Sequence, residues 1–393
     1  MDVKQNVLIV HNYYQIPGGE DVVVKNEKHL LEKHGHKVIT YERHNSELKN
    51  MPKVRKISLL FSSIFSIKTY GDVKKIIKEQ KINVVHVHNT IHLISPSVYY
   101  AAVKFGIPIV QTVHNFRLMC PGATFFRNDQ VCEACVKNGL GNAIKYKCYR
   151  NSRIETMICV IGNLFHRLMG IYRKIYYICL TDFNKNKLLQ LRQIKPQNVF
   201  VKPNYSEKMD FPVLKYAERK SQILYAGRFD ETKGMDVLLK AWKLLGQQAP
   251  QLVLCGTGPL ESVVKEYIEK EKLEKVIMKG FLPNEEIKKL MSESKALVLP
   301  TKWYEGFPMT MVEAFSVGTP VLGTDLGNVG SLIENGKTGW KFVLNSAESL
   351  ADCVLNIHDI VDDVYETFQK KYTEEKNYMQ LKAIYDHVNE IKE

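Results

Sequence analysis

Residues 296–320 read ALVLPTKWYEGFPMTMVEAFSVGTP. A short apolar run leads into a loop marked by Gly306 and Pro308, and an apolar-periodic stretch opens near Met309. That is a strand–loop–helix unit. Working outward, the same unit recurs. Upstream lie the apolar runs QILYAG at 222–227, LVLCG at 252–256 and VIMKG at 276–280. Helical stretches at 235–245, 260–270 and 285–292 separate them, and a further strand is expected at 320–323. Short β-rich runs alternating with helices predict α/β layers on a parallel sheet.

The first half repeats the pattern. Strands are expected at 6–10, 37–41, 83–87, 107–113 and 175–180. The first is followed by a loop with Pro17, Gly18 and Gly19, then by a helix over 20–34 that closes at Gly35. Around 199–205 the chain reads VFVKPNY, and a polar, Pro-containing stretch runs on to Lys220; this is the expected linker. The division expected is therefore 1–203, 204–372 and a charged terminal helix over 373–393.

Composition is that of a globular chain: 393 residues, 45% hydrophobic and 25% charged, which argues against a disordered chain. The charge is uneven. Residues 1–200 carry 30 basic and 13 acidic side chains, net +17, whereas 201–393 carry 25 and 29, net −4. The basic half expects an acidic partner: nucleic acid, an anionic membrane or a phosphorylated ligand. A solvated basic face is the plainer alternative. No apolar run reaches the roughly 18 residues of a membrane span. The start, MDVKQNVLIV, lacks the features of a signal peptide. A cytosolic protein with reduced cysteines is expected.

The chemistry-bearing residues gather at the loops that follow strands. Glu305 and Glu313 are eight positions apart, one in the loop and one about a turn into the helix. The helix start is an expected anion site, and carboxylates on either side of it would suit sugar or ribose hydroxyls. The plainer alternative is a cap and a solvent-facing Glu. Gly227, Arg228, Lys233 and Gly234 flank another such loop, at the edge where ligands bind in open α/β sheets. Two fixed cations there can hold a diphosphate and stabilise its departure. Gly256 and Gly258 form a third loop, and Gly18 with Gly19 a fourth, where backbone can approach a ligand closely. His114 ends the strand IVQTV, placed for polar contact or proton handling. His86 and His88 share a strand face and are expected as packed imidazoles beside the crevice.

Cys120, Cys132, Cys135 and Cys148 fall within 29 residues as C-x11-C-x2-C-x12-C, a spacing that suits a structural tetrahedral zinc, ahead of free thiols or a disulfide. Lys137, Lys145, Lys147, Arg150 and Arg153 surround them, so 114–153 reads as a Cys-rich basic loop. The segment RIETMICVIGNLFHRLMGIYRKIYY at 153–177 mixes large apolar residues with Arg and Lys. It suits either a membrane interface or a core helix. The run LLFSSIFSI at 59–67 raises the same choice.

With these residues in view, the sequence resembles glycosyltransferase family 4, retaining enzymes of the GT-B fold, over nearly its whole length. The motifs are GGED at 18–21, HNFRLMCPG at 114–122, GRFDETKG at 227–234, GTGP at 256–259 and EGFPMTMVEA at 305–314. The version with HN-x4-CP followed by CEAC looks like the branch that builds bacterial surface polysaccharides. The resemblance implies two Rossmann-like parallel-sheet domains facing a central cleft, with the terminal helix crossing back to the first. It implies that Arg228 and Lys233 bind the donor diphosphate and that Glu313 holds the ribose hydroxyls. Glu305 would contact the donor sugar, assisted by backbone N–H groups of Gly306, Phe307, Pro308-flanked Met309 and Thr310. Gly19 would approach the diphosphate or the acceptor, and His114 would sit by the transferred sugar. Asn115 stands where many relatives have Asp, which weakens an acid–base role there.

The expected activity is transfer of a sugar, with retention, from a UDP- or GDP-linked donor to a hydroxyl of a glycan acceptor. A lipid-linked acceptor at the inner face of the membrane would explain the basic first half. No Asp-x-Asp triplet occurs, so catalysis is expected to need no divalent cofactor. Rival readings are a nucleotide-sugar epimerase or phosphorylase on the same fold, a zinc-supported nucleic-acid-binding protein, and an inactive partner of another glycosyltransferase. No aromatic-interleaved basic motif supports nucleic acid as the partner.

Overall fold

The computed structural model describes residues 4–15, 18–49, 51–209 and 212–391, with the backbone only at 53–57. The chain forms two compact units. The first holds 1–124, 133–202 and 378–393; the second holds 125–132 and 203–377.

The first unit is built on six parallel strands: β1 (Asn6–Tyr13), β2 (Lys37–His44), β3 (Val84–Val87), β4 (Ile109–Val113), β5 (Ile175–Cys179) and β6 (Val199–Val201). Their order in the sheet is β2-β1-β3-β4-β5-β6. Leu8 pairs with Ile39 on one side and Val85 on the other. Successive side chains of a strand point to opposite faces, and both faces here are covered. Leu8, Val10 and Val85 join Val73, Ile77 and Val98 from helices on one side. Val7, Ile9 and Val110 join Val24, Leu31 and Leu381 on the other. Strands buried on both faces read as continuous apolar runs, as VLIV does.

The second unit repeats the design with β7 (Lys220–Ala226), β8 (Gln251–Cys255), β9 (Val276–Gly280), β10 (Ser294–Leu299), β11 (Val321–Thr324) and β12 (Gly339–Phe342). The order is β9-β8-β7-β10-β11-β12. This doubly wound order reverses between β7 and β10, and the crevice at such a reversal is where open α/β sheets bind ligands. Trp242, 2% exposed, packs with Tyr225 and Leu254 on one face. Phe315 and Phe368 pack with Leu224 and Val253 on the other.

Strand β12 has no counterpart among the expected elements; its run GWKF is short and carries a Lys. The linker also differs from the expectation of a single stretch ending at Lys220. VFV is the edge strand β6, and the division falls between Lys202 and Pro203. The stretch 125–132 belongs to the second unit although its flanks belong to the first. Lys302, 7% exposed, explains this. Its ammonium is 3.1 Å from Asp129 and 2.9 Å from Asp236, and the Phe125 and Tyr304 rings lie 6.1 Å apart.

The last helix, Glu374–Glu390, carries Leu381, Ile384, Tyr385 and Val388 at helical spacing, and these complete the β1 face of the first unit. Leu381→Ala removes a fully buried side chain there. We expect a loss of about 2–5 kcal/mol, read as a lower urea midpoint for the first unit. A change within about 0.5 kcal/mol would mean the helix is dispensable to that core.

Candidate functional site

Parallel strands end on one edge, and the loops leaving that edge carry the polar residues of both units. In the second unit, the loop after β7 holds Gly227, Arg228 and Lys233, and the loop after β10 holds Thr301 to Pro308. Because β7 and β10 are neighbours, the two loops meet. Lys233 Nζ is 2.6 Å from Glu305 Oε1, and Thr301 donates to the same oxygen at 3.1 Å. Lys233 also lies 5.7 Å from the Trp303 ring centre. Asn328, fully buried, donates to the carbonyls of Glu305 at 2.5 Å and Gly306 at 2.7 Å, which tethers that loop.

Arg228 Nε is 2.8 Å from Asp230, and its side chain is 63% exposed. The Arg228 guanidinium is therefore the outer of the two cations and has room to reorient. Burial pushes Asp230 up, but hydrogen bonds from Thr232 and Arg228 outweigh it and hold the carboxyl below its ordinary value. Glu313 lies on the helix Met309–Phe315, which opens after Pro308. Burial raises its carboxyl, partly offset by Lys288 and by a 3.4 Å hydrogen bond from Asn284.

Two of the glycines sit where loops pack closely. A Cβ on Gly256, whose φ is +141°, would sit 1.9 Å from the carbonyl oxygen of Gly227. One on Gly258 would sit 2.4 Å from that of Phe229. These residues let neighbouring loops touch one another. Gly18 is the reverse case: its φ is −127° and a Cβ there would meet nothing within 4 Å. It precedes the helix Gly19–Lys33, where Asp21 accepts from the Gly18 N–H at 2.9 Å.

In the first unit, the sheet edge gathers ionisable groups that the sequence reading only partly foresaw. His86 and His88 are buried at the end of β3, as packed imidazoles. Burial takes His86 down to about 3, and both ring nitrogens are engaged, with Tyr385 at 2.6 Å and Thr112 at 2.8 Å. His114, just after β4, bonds His88 at 2.9 Å and is held well below the ordinary imidazole range by burial and by His88. Around them stand groups not foreseen: His11, Glu20, Asp21, Glu27 and Lys202. Asp21 lies 2.8 Å from His11, and Lys202 lies 2.8 Å from Glu27. Glu20 and Asp21 lie in the quoted GGED. Glu27 and Lys202 carried no sequence signal, since a buried Glu and a surface Glu on a helix look alike in sequence.

A cavity of about 110 Å³ in the first unit is lined by His88, His114, Asn89, Thr90, His92 and Arg117, among others. A second, of about 600 Å³, is lined by Lys49 and Arg150 together with Leu59, Leu60, Ile154 and Ile158. The latter volume is in the range of small-molecule sites.

Among the described residues the grouping of three ligand-type side chains within 4.8 Å is Glu27, His86 and His88, not a set of thiols. Cys135 and Cys148 pack against Leu140, Ala143 and Val160. Cys120 is buried, and Cys132 falls in the 125–132 stretch of the second unit. The Glu27 grouping does not suit a cation, because the Lys202 ammonium already occupies that carboxylate.

The helix Arg153–Leu168 buries Thr156, Val160, Asn163 and His166. It exposes Ile154 (62%), Met157 (42%), Ile161 (47%), Leu164 (50%) and Leu168 (86%). This apolar stripe at helical spacing faces away from the core, while the opposite face of the helix packs onto the first unit. Among the described residues no helix is long and apolar enough to cross a membrane.

Glu20 offers a direct test of the first-unit site. Burial pushes its carboxyl up to about 8, against hydrogen bonds from Tyr14 and Asn115. The folded chain then keeps a proton that the unfolded chain releases near pH 4.3. Its contribution to stability is full below that value and is lost as pH rises through about 8. Glu20→Gln, an uncharged isostere, should therefore gain stability over the wild type as pH goes from 5 to 9 in urea unfolding. A constant difference across that range would show the carboxylate to be ionised in the fold.

Two family descriptions cover most of the chain. Residues 17–142 match "Glycosyltransferase Family 4", and residues 206–363 match "Glycosyl transferases group 1". The amylovoran biosynthesis glycosyltransferase AmsK of Erwinia amylovora is 31% identical over 166 residues, which are 40% of this chain and 41% of that protein. The match thus spans about two fifths of the length of that curated relative. A glycosyltransferase of Rickettsia africae has the same fold, with a TM-score of 0.67 at 18% identity over 98% of both chains. So does Anabaena HepE, solved in complex with UDP, with a TM-score of 0.65 at 15% identity over 97% of this chain and 100% of that one. The fold is GT-B, and with a family 4 match in its first half and a group 1 match in its second, the chain belongs to the family 4 glycosyltransferases.

Proposed function

We propose that the protein transfers a sugar, with retention, from a nucleotide-sugar to a hydroxyl of a glycan acceptor in bacterial surface polysaccharide synthesis. The observation that carries this reading is the Lys233–Glu305 pair at the reversal point of the second sheet, with Arg228 beside it. A carboxylate alone at such a point would repel a diphosphate. Here the donor's phosphates can take Lys233 and Arg228 as partners, and Glu305 is then released to accept hydrogen bonds from the sugar. Cations gathered at the loop before the donor arrives can stabilise the departing diphosphate. Glu313, whose carboxyl burial raises above its ordinary value, suits the ribose hydroxyls. His114 would stand by the transferred sugar. A relative of the same fold solved with UDP favours a UDP-linked donor over a GDP-linked one.

The acceptor reading rests on the first unit. The larger cavity combines Lys49 and Arg150 with apolar walls, which suits a phosphorylated lipid carrier. Ile154 belongs both to this cavity and to the exposed stripe of the helix Arg153–Leu168. An amphipathic helix of that kind binds in the plane of a membrane interface. The protein would then work peripherally at the inner membrane face.

Two experiments test this. In a transfer assay across UDP- and GDP-sugars, turnover should be confined to one nucleotide, and Arg228→Ala should lower kcat by roughly 100- to 1000-fold with an unchanged circular dichroism spectrum. Retained turnover in that variant would remove the second-unit site. Donor conversion without acceptor would mark an epimerase, and a requirement for free phosphate a phosphorylase. Separately, the protein should co-sediment with phosphatidylglycerol vesicles, and Ile161→Asp with Leu168→Asp should lower binding about tenfold or more. Equal binding by that double variant would remove the helix from the membrane contact.

A further inference from the structure

The first unit buries an ion pair whose use is not explained by packing. Glu27, 1% exposed, lies on the helix Gly19–Lys33. One carboxylate oxygen is 2.8 Å from Lys202 Nζ and the other is 3.2 Å from His88 Nε2. His88 Nδ1 is in turn 2.9 Å from His114 Nε2. Four segments of the fold converge to make this line: the first helix, the ends of β3 and β4, and the residue after β6. Buried pairs of this kind are seldom needed for stability.

Acceptor chemistry sets where the protons are. An ionised carboxylate only accepts. The His88 nitrogen facing Glu27, Nε2, therefore carries the hydrogen. Lys202 already balances the charge of Glu27. The other rings facing His88 are the buried imidazoles of His86, His11 and His114. The Tyr385 hydroxyl is engaged by His86, and Asp21 by His11. Glu20 is hydrogen-bonded by Tyr14. A second cation at His88 would have no anion left to balance it, so the ring is neutral and Nδ1 is bare. The single hydrogen between the two rings then belongs to His114 Nε2. His114 Nδ1 is left as an acceptor, and this ring lines the smaller cavity.

We propose that Glu27, acting through His88, positions His114 by fixing its tautomer, so that Nδ1 stands open to accept a hydrogen bond from a sugar hydroxyl. The sugar contact rests on the glycosyl-transfer reading; the tautomer does not. Glu27 is a positioning residue that reaches His114 only through His88.

The test uses the full chain labelled with 15N-histidine, whose long-range 1H–15N spectra separate the two tautomers. The wild type should show His114 as a single species with Nε2 protonated. Glu27→Leu with Lys202→Met removes both charges together, so no lone ion is left buried. His114 should then become a mixture of tautomers, and kcat should fall about tenfold with donor KM changed by less than about twofold. Should that variant not fold, His88→Phe keeps the Glu27–Lys202 pair and a ring of similar shape, and should give the same two changes. In a His114→Ala background either change should have no further effect on kcat. An Nδ1-protonated His114 in the wild type, or a single unchanged tautomer in the variants, overturns the proposal. Correct tautomers in a protein without sugar transfer would instead fault the activity reading and leave the relay standing.

Discussion

A parallel strand covered by apolar side chains on both faces has little room for ionisable groups along its length, and its open backbone ends lie at the sheet edges. In both units this constraint sends the charged and hydrogen-bonding residues to the carboxyl edge. Which loops meet there depends on strand order. The reversal between β7 and β10 brings Lys233 to Glu305 across 72 residues of chain. The neighbouring of β1, β3 and β4 brings His11, His88 and His114 into one cluster.

At these edges the charges occur in pairs. Lys233 with Glu305, Arg228 with Asp230 and Glu27 with Lys202 each hold a cation in place. The three differ in what they can do. The Arg228 pair is exposed, so screening by solvent makes it easy to exchange. The Lys233 pair is half-buried and can trade one anionic partner for another. The Glu27 pair is sealed, so it can only pass an influence on through its neighbours.

Much of the architecture was legible along the chain, because apolar runs such as VLIV, ILYA and ALVL are continuous where both faces are buried. Helix ends shifted by a residue or two. Strand β12 escaped notice, since a four-residue run with a Lys carries little periodic signal. The 125–132 stretch could not be assigned to the second unit from sequence, because Lys302 is 173 residues from the Asp129 it pairs with. The four clustered cysteines have a metal-like spacing, and two of them, Cys135 and Cys148, pack against a small apolar core. The helix Arg153–Leu168 carries apolar residues on more than one face, so only the packing could tell which of them remain uncovered.

Residue identity and short-range spacing alone determined the alternation of strand and helix, the doubled α/β plan, the loops that carry Arg228, Lys233, Glu305 and His114, and the helix that carries Glu313. These follow from local sterics and from the period of apolar burial, which act over a few residues. Tertiary structure alone decided which charge faces which: the Lys233–Glu305 contact, the Glu27–His88–His114 line, and the use of Gly256 and Gly258 to let loops meet. Electrostatic contacts form between groups far apart in the chain, and their strength depends on burial, which no local pattern encodes.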